Sequence, residues 1–263
     1  MRWFLLMLLL VAPSWAAGVR VEAVRKGNDV VFVAINEEAV PTTVWVEAEL
    51  EHLEANPPLP LSLVVPAGKT VRVTTLHWRG PQPGRYNYKH WWELGDYRVK
   101  PDEAVTYRIP FHHGQSVHIV QGYLGTFSHQ DTYALDFECP LQTPVVAARG
   151  GLVVAVIDQF TEGGADPSLK SKANLVAVMH DDGSLADYVH LSPGGARVKV
   201  GQRVETGQLL GLSGATGYAT SPHLHFEVYR PTADARHRQS LAVKFNTAQG
   251  AQKLEQGASY TVP

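Results

Sequence analysis

The segment 221–228 has the sequence SPHLHFEV, in which polar and apolar residues alternate as in a β-strand with one buried face. His223 and His225 are two positions apart, so both imidazoles project from the same side of that strand. Neutral imidazole is a common zinc ligand and also the usual general acid or base near neutral pH. The pattern predicts a metal or acid–base site, although two surface histidines on an edge strand would look the same.

Two further segments favour the metal site. Asp136 stands between Leu135 and Phe137, and a carboxylate in such an apolar strand is costly unless it is paired or coordinated. His129 lies upstream, and a third strand-like segment, 187–191, carries His190. Three protein ligands with one open position form the usual catalytic zinc arrangement. His129, Asp136 and His225 could supply the three ligands, which would leave His190 and His223 for proton transfer.

These segments resemble the signature of the M23 metallopeptidases of the lysostaphin and LytM type. The resemblance runs from about residue 122 to residue 229, and its further matching pieces lie at 140–145, 148–151, 201–211 and 211–217. It implies a zinc-dependent endopeptidase, with one Zn²⁺ per chain, that cuts peptide bonds in bacterial peptidoglycan. By position, the resemblance makes Asp136 and His225 ligands and makes His190 and His223 the catalytic histidines.

One position departs from the family pattern. The family usually has its first ligand histidine four residues before the aspartate, where this chain has Thr132. His129 lies seven residues before Asp136, a spacing that resembles a branch of the family. In an unbroken strand that spacing would put the two on opposite faces. The polar residues 130–132 suit an exposed excursion, so we expect a break between Ser128 and Tyr133 that returns His129 to the site. His118 and Asp131 are the alternative ligands.

The elements that position these residues are predicted to be almost all β. Short alternating runs separated by turns from residue 17 to 110 predict an N-terminal antiparallel β-sandwich, with its late tryptophans and tyrosines in core and edge packing. The more continuously apolar runs from 111 to 263 predict an M23-like β-sandwich peptidase domain with a C-terminal extension. The frequent glycines (23) and prolines (17) argue against long helices.

Composition and the N-terminus limit the functional classes. The formal charge of -2 argues against a nucleic-acid partner. Residues 1–16 combine an early arginine, an apolar run and small residues before the expected cleavage point. This pattern predicts a cleaved signal peptide, and an uncleaved anchor is the alternative. The remaining chain has no further long apolar segment, and its lone Cys139 forms no internal disulfide. We expect an exported protein, periplasmic or in the cell envelope, with secretion also open.

Two other functions keep most of these features. One is a metal-free LytM-like regulator that binds a cell-wall amidase, but such proteins usually lack several of the site residues that are intact here. The other is a secreted protease with a substrate outside the cell wall, which would keep every site residue. Metal content and peptide release from purified peptidoglycan would distinguish them.

Overall fold

The structure is a computed structural model that describes residues 18–263. The expected signal peptide, residues 1–16, lies outside the described residues. The described chain divides into two compact units, residues up to 94 together with 233–236, and residues 95–232 together with 237–263. The first unit ends earlier than the boundary at 110 that the sequence suggested, because Tyr107 and Ile109 are buried in the core of the second.

The first unit is an antiparallel sandwich, as expected. Its strands are β1 (Val19–Lys26), β2 (Asp29–Asn36), β3 (Thr42–Glu51), β4 (Leu53–Asn56), β5 (Leu61–Val65), β6 (Thr70–Trp78) and β7 (Arg85–Leu94). One sheet has the order β1-β2-β6-β4 and the other β5-β3-β7. Alternation places Phe32 and Leu76 of the first sheet and Val44 and Val46 of the second in one shared core, so each sheet covers the apolar face of the other.

The second unit is built on a nine-stranded sheet with the order β16-β12-β14-β15-β19-β10-β9-β23, to which β20 adds beside β19. The strands of the unit are β8 (Thr106–Tyr107), β9 (Ser116–Gln121), β10 (Ala134–Glu138), β11 (Pro144–Val146), β12 (Gly151–Ile157), β13 (Gly163–Gly164), β14 (Leu175–Met179), β15 (Leu185–Val189), β16 (Arg203–Val204), β17 (Leu209–Leu212), β18 (Gly217–Tyr218), β19 (His223–Pro231), β20 (Arg238–Ser240), β21 (Lys244–Thr247), β22 (Gly250–Gln252) and β23 (Ser259–Thr261).

Smaller sheets complete this unit. Strand β11 pairs with β17, β13 pairs in parallel with β18, and β21 lies between β22 and β8. Val145 and Leu210, from the β11–β17 pair, share a core with Val178 and Phe226 of the large sheet. One face of the large sheet is therefore apolar and buried, and the polar side chains of β10 and β19 lie on the opposite face.

Helical structure is sparse. Within residues 18–263 the one regular helical segment is a short 3₁₀ helix, Pro167–Lys172, whose first turn is capped by Asp166. None of the helical segments described has the length and apolarity that a membrane crossing requires. The mainly β fold class expected from the sequence is confirmed.

Candidate metal centre

Two neighbouring strands bring Asp136 and His225 together. In β10 the flanking Leu135 and Phe137 are fully buried in the core, so Asp136 projects from the other face. The antiparallel register between β10 and β19 places Asp136 directly opposite His225. Their side chains meet with 2.9 Å between His225 Nδ1 and Asp136 Oδ1.

His129 reaches the same point from an irregular segment. Strand β9 ends at Gln121 and β10 begins only at Ala134. The intervening chain turns where the Thr132 amide donates to the His129 carbonyl at 2.9 Å. This confirms the expected break. It places His129 Nε2 3.2 Å from Asp136 Oδ1 and 3.2 Å from His225 Nδ1.

The three side chains fit a metal ion. One donor atom from each of His129, Asp136 and His225 lies within 4.8 Å of the other two. A carbonyl oxygen only accepts, so the 3.0 Å contact between His129 Nδ1 and the Gly122 carbonyl puts the proton on Nδ1 and leaves Nε2 free to coordinate. Two imidazole nitrogens and a carboxylate oxygen are a donor set that Zn²⁺ accepts. Their role as ligands stays a prediction.

His190 and His223 complete the group of five residues singled out from the sequence. Their ring centroids are 4.6 Å apart, and His223 Nε2 is 3.7 Å from Asp136 Oδ1. His190 Nδ1 donates to the Thr216 carbonyl at 2.7 Å, and His223 Nδ1 donates to the Ser221 carbonyl at 2.8 Å. In both rings Nε2 is therefore the nitrogen that can exchange a proton. The catalytic role of these two histidines likewise stays a prediction.

The backbone at His190 is unusual. The residue follows the last position of β15 and has φ of 66°, in the left-handed region that residues other than glycine rarely adopt. It is held there by the Thr216 hydrogen bond and is buried. Backbone strain that the surroundings enforce is common at functional sites. Here it directs the ring towards His223.

The electrostatics differ sharply among the site residues. Burial opposes ionisation of Asp136, but its contacts with the His129 and His225 rings outweigh burial and hold the pKa of that carboxyl well below its usual range. Burial lowers the pKa of His225, yet the carboxylates of Asp136 and Glu227 outweigh burial and raise it to about 10. Burial, followed by repulsion from His223 and His225, lowers the pKa of His190 to about 3. His190 is thus neutral near pH 7.

Four of these residues, Asp136, His190, His223 and His225, line an open cleft of about 270 Å³, and His129 is buried behind it. Phe127 and Tyr218 form part of its wall, stacked with 6.2 Å between ring centroids, and Phe127 is 65% exposed. Neither aromatic residue was predicted from the sequence. The available clue was Phe127, a large apolar residue in an otherwise polar segment two positions before the proposed ligand His129, because grouped apolar side chains left in water mark binding surfaces.

The alternative ligands lie elsewhere. His118 Nδ1 contacts Ser259 Oγ at 3.0 Å, and Asp131 is an exposed residue in the turn before β10. Tyr188, for which a hydrogen bond into the site was one possibility, is fully buried, and its hydroxyl oxygen accepts from the Ala148 amide at 2.7 Å. Cys139 is a small buried residue, as expected.

A histidine–aspartate cluster in a cleft on a β-sheet is the arrangement of a metallohydrolase. Residues 130–240 match the model of peptidase family M23, which confirms the resemblance seen in the sequence.

Three curated relatives share this region. The chain is 35% identical over 129 residues to "Glycyl-glycine endopeptidase ALE-1" of Staphylococcus capitis, covering 49% of this chain and 30% of the relative. It is 39% identical over 93 residues to "Peptidoglycan DD-endopeptidase ShyA" of Vibrio cholerae, covering 35% and 19%. It is 38% identical over 96 residues to "Lysostaphin" of Staphylococcus staphylolyticus, covering 36% and 18%. The chain thus spans less than a third of the length of each of these relatives.

Proposed function

We propose that this chain is a zinc-dependent metalloendopeptidase that hydrolyses peptide bonds in the stems or cross-links of bacterial peptidoglycan. In this proposal His129, Asp136 and His225 hold one Zn²⁺ per chain, and His190 and His223 transfer protons. The M23 match and the relatives named as peptidoglycan endopeptidases support the reaction class and the substrate.

The observation that carries the proposal is the convergence of five side chains at one cleft, four of which line it while His129 is buried behind them. Three of them present donor atoms within 4.8 Å of one another. The other two, His190 and His223, line the same cleft and have their remote nitrogens fixed by backbone carbonyls. Separate elements supply these residues, and a merely structural histidine cluster would not need an open cleft beside it.

The reaction needs a Lewis acid and two proton transfers, and His190 and His223 would perform the proton transfers. Zn²⁺ supplies Lewis-acid chemistry to such a site, since it polarises a carbonyl and makes water more acidic. One of His190 and His223 accepts a proton from the attacking water and the other donates one to the departing amine. The wall formed by Phe127 and Tyr218 is suited to holding an uncharged stretch of peptide in place, because the other lining residues, Asp136 and the histidines apart, are uncharged.

Export is part of the same proposal. Peptidoglycan lies outside the cytoplasm, so an enzyme acting on it must cross a membrane. The signal-like sequence at residues 1–16 would direct that step. Periplasmic or cell-envelope residence follows from the substrate class, and fractionation of cells that produce the full chain tests it.

The test combines metal content with peptide release from purified peptidoglycan. Wild-type protein should carry about one zinc per chain and release stem or cross-link peptides detectable by mass spectrometry. Asp136→Ala should lose both properties. Asp29→Ala is the matched control, because it removes an exposed aspartate that contacts a histidine in the first unit. Equal peptide release by wild type and Asp136→Ala would refute the proposal.

The same assay separates the alternatives. A protein that binds zinc, leaves peptidoglycan intact and cleaves an unrelated unfolded protein would be a secreted protease with another substrate. A protein with neither zinc nor hydrolytic activity would be a metal-free regulator.

A further inference from the structure

Gln121, the last residue of β9, is a buried polar side chain to which the proposed function assigns no role. It is 7% exposed and makes three hydrogen bonds. Its Nε2 donates to Asp136 Oδ2 at 2.9 Å and to Ser128 Oγ at 2.7 Å. Its Oε1 accepts from the Ser128 backbone amide at 3.0 Å. One side chain thus connects the proposed carboxylate ligand with the residue that precedes His129.

These contacts define the orientation of the Gln121 amide. With Nε2 towards Asp136, each polar atom of the side chain meets a partner of the opposite kind. The flipped amide would place Oε1 against the Asp136 carboxylate and Nε2 against the Ser128 N–H, so two favourable contacts would become repulsive. The side chain therefore acts as a donor to the carboxylate and as an acceptor for the loop.

A β-bulge puts Gln121 on this face. In the β9–β10 pairing Phe137 is opposite Ile119, but Asp136 is opposite Gln121, so Val120 is left without a partner. Without that extra residue Gln121 would oppose Leu135 and face the core. The bulge therefore turns the Gln121 side chain, which would otherwise face the core, towards the site.

The irregular segment is shaped around this side chain. A Cβ added at Gly125 would lie 2.7 Å from Gln121 Cγ and 3.1 Å from the Gly122 carbonyl oxygen. Only glycine allows the backbone to approach Gln121 so closely. This approach turns the chain back, so that the Ser128 amide donates to Gln121 and the His129 ring donates to the Gly122 carbonyl. Two successive residues, Ser128 and His129, are therefore fixed at the point where the chain enters the site.

We propose that Gln121 is a positioning residue for metal binding. It occupies Asp136 Oδ2, so that Oδ1 is the oxygen presented to the two histidines, and it fixes Ser128, so that His129 is held in place before metal arrives. The inference rests on the zinc site of the proposed function and extends it to a residue outside the ligand set.

Such a residue is needed because His129 comes from an irregular segment. A ligand on a regular strand is oriented by the sheet, as His225 is by β19, whereas a ligand in a loop loses conformational freedom on binding. Hydrogen bonds that order the loop beforehand remove part of that cost from the binding step. Residues that contact metal ligands in this way commonly contribute 10- to 100-fold to metal affinity.

The test is zinc affinity, measured by competition with a chromogenic chelator on the full chain. Gln121→Met keeps the approximate size of the side chain and removes its three hydrogen bonds. We expect its zinc affinity to fall by about 10- to 100-fold. The matched control is Gln252→Met, because Gln252 is a half-buried glutamine whose Nε2 donates to Thr247 Oγ1 at 2.6 Å, away from the cleft and from every proposed ligand. The control should stay within about threefold of wild type, since it leaves the ligands and their partners intact.

Thermal melting of the metal-free proteins separates positioning from simple stabilisation. If Gln121→Met melts at a lower temperature but binds zinc as tightly as wild type, Gln121 is structural only and the inference is overturned. If wild type itself binds no zinc, the proposed function fails first, which is a distinguishable result.

A second variant covers the case in which Gln121→Met does not fold. Ser128→Ala alters an exposed residue and removes only the hydroxyl that accepts from Gln121. Losing one neutral hydrogen bond should weaken zinc binding by about 2- to 10-fold. Unchanged affinity in Ser128→Ala would then count against the inference.

Discussion

Each unit of the molecule contains a contact between a histidine and an aspartate on adjacent antiparallel strands. In the first unit His77 Nδ1 lies 3.1 Å from Asp29 Oδ1, with side chains 41% and 39% exposed. In the second unit the corresponding atoms of His225 and Asp136 are 2.9 Å apart, with side chains 21% and 10% exposed. The same pair of residue types at nearly the same distance thus occurs in two different environments.

The difference lies in what surrounds each pair. Asp136 also receives contacts from His129 and Gln121, and a cleft opens beside it. An exposed pair such as His77–Asp29 is screened by water and contributes little to stability. Burying a carboxylate is costly unless several donors compensate, so the Asp136 cluster needs a reason beyond stability. Strand alternation and register create a pair, and the loops around it make it a candidate active site.

The sharpest test of this contrast removes one partner from each pair. Asp136→Ala or His225→Ala should reduce zinc from about one per chain to nearly none, because each removes one of the three proposed ligands. His77→Ala should leave zinc content unchanged. Metal analysis after gel filtration measures both, and full zinc retention in Asp136→Ala and His225→Ala would show that the buried pair is no more a metal site than the exposed one.

The next prediction concerns the member of the cluster that has no counterpart in the first unit. His129→Ala should weaken zinc binding by more than about 100-fold, since loss of a ligand exceeds the 10- to 100-fold effect of residues around it. Thr132→Ala, at the family's usual ligand position, should bind zinc as wild type does. Chelator competition measures both affinities, and the reverse order would mean that Thr132 or a neighbour replaces His129.

The two remaining histidines should affect turnover more than metal. His190→Ala and His223→Ala should keep zinc yet lose activity by about 100-fold or more, the usual contribution of a positioned acid or base. Peptide release and zinc content are measured on the same preparation. If His223→Ala loses metal while His225→Ala keeps it, the roles within the pair are exchanged.

The parts of this site that the sequence predicted are those governed by local chemistry. Alternation in β10 and β19 placed Asp136 and His225 on polar faces, and the polar residues 130–132 predicted the excursion that returns His129. Residue type then limited the candidate ligands, because zinc in proteins is bound almost entirely by histidine, cysteine, aspartate and glutamate.

The parts that it did not predict depend on contacts between distant segments. Gln121 faces the site only because Val120 is bulged out of the β9–β10 pairing, and no single-strand pattern reveals a bulge. The segment before residue 110 joins the second unit because β8 pairs in parallel with β21, more than a hundred residues later. The left-handed His190 likewise depends on Thr216, in another loop.

A third histidine tests whether burial or carboxylate neighbours control charge. His180 is 2% exposed, and its Nδ1 donates to the Gly150 carbonyl at 2.9 Å. Among the residues described, its Nε2 has no hydrogen-bond partner. Burial lowers the pKa of His180 to about 4, whereas contact with carboxylates raises the pKa of His225 to about 10.

The sign of the effect of His180 on stability follows from its lowered pKa. Unfolded histidine titrates near 6.5, so between that pH and about 4 the unfolded state binds a proton that the folded state does not. The free energy of unfolding should therefore fall as the pH drops through this range and should be unaffected by His180 above it. His180→Asn can keep the hydrogen bond to Gly150 but does not titrate. The free energy of unfolding of this variant should therefore fall less steeply with decreasing pH, by at most about 1.4 kcal/mol per pH unit.

Urea unfolding with a chelator present, at several pH values from 4.5 to 7.5, isolates the contribution of His180, because the other histidines contribute equally to both proteins. Parallel stability profiles would mean that His180 takes up its proton in the folded state at an ordinary pH. Burial without a carboxylate hydrogen-bonded to the ring would then not be what distinguishes His180 from His225.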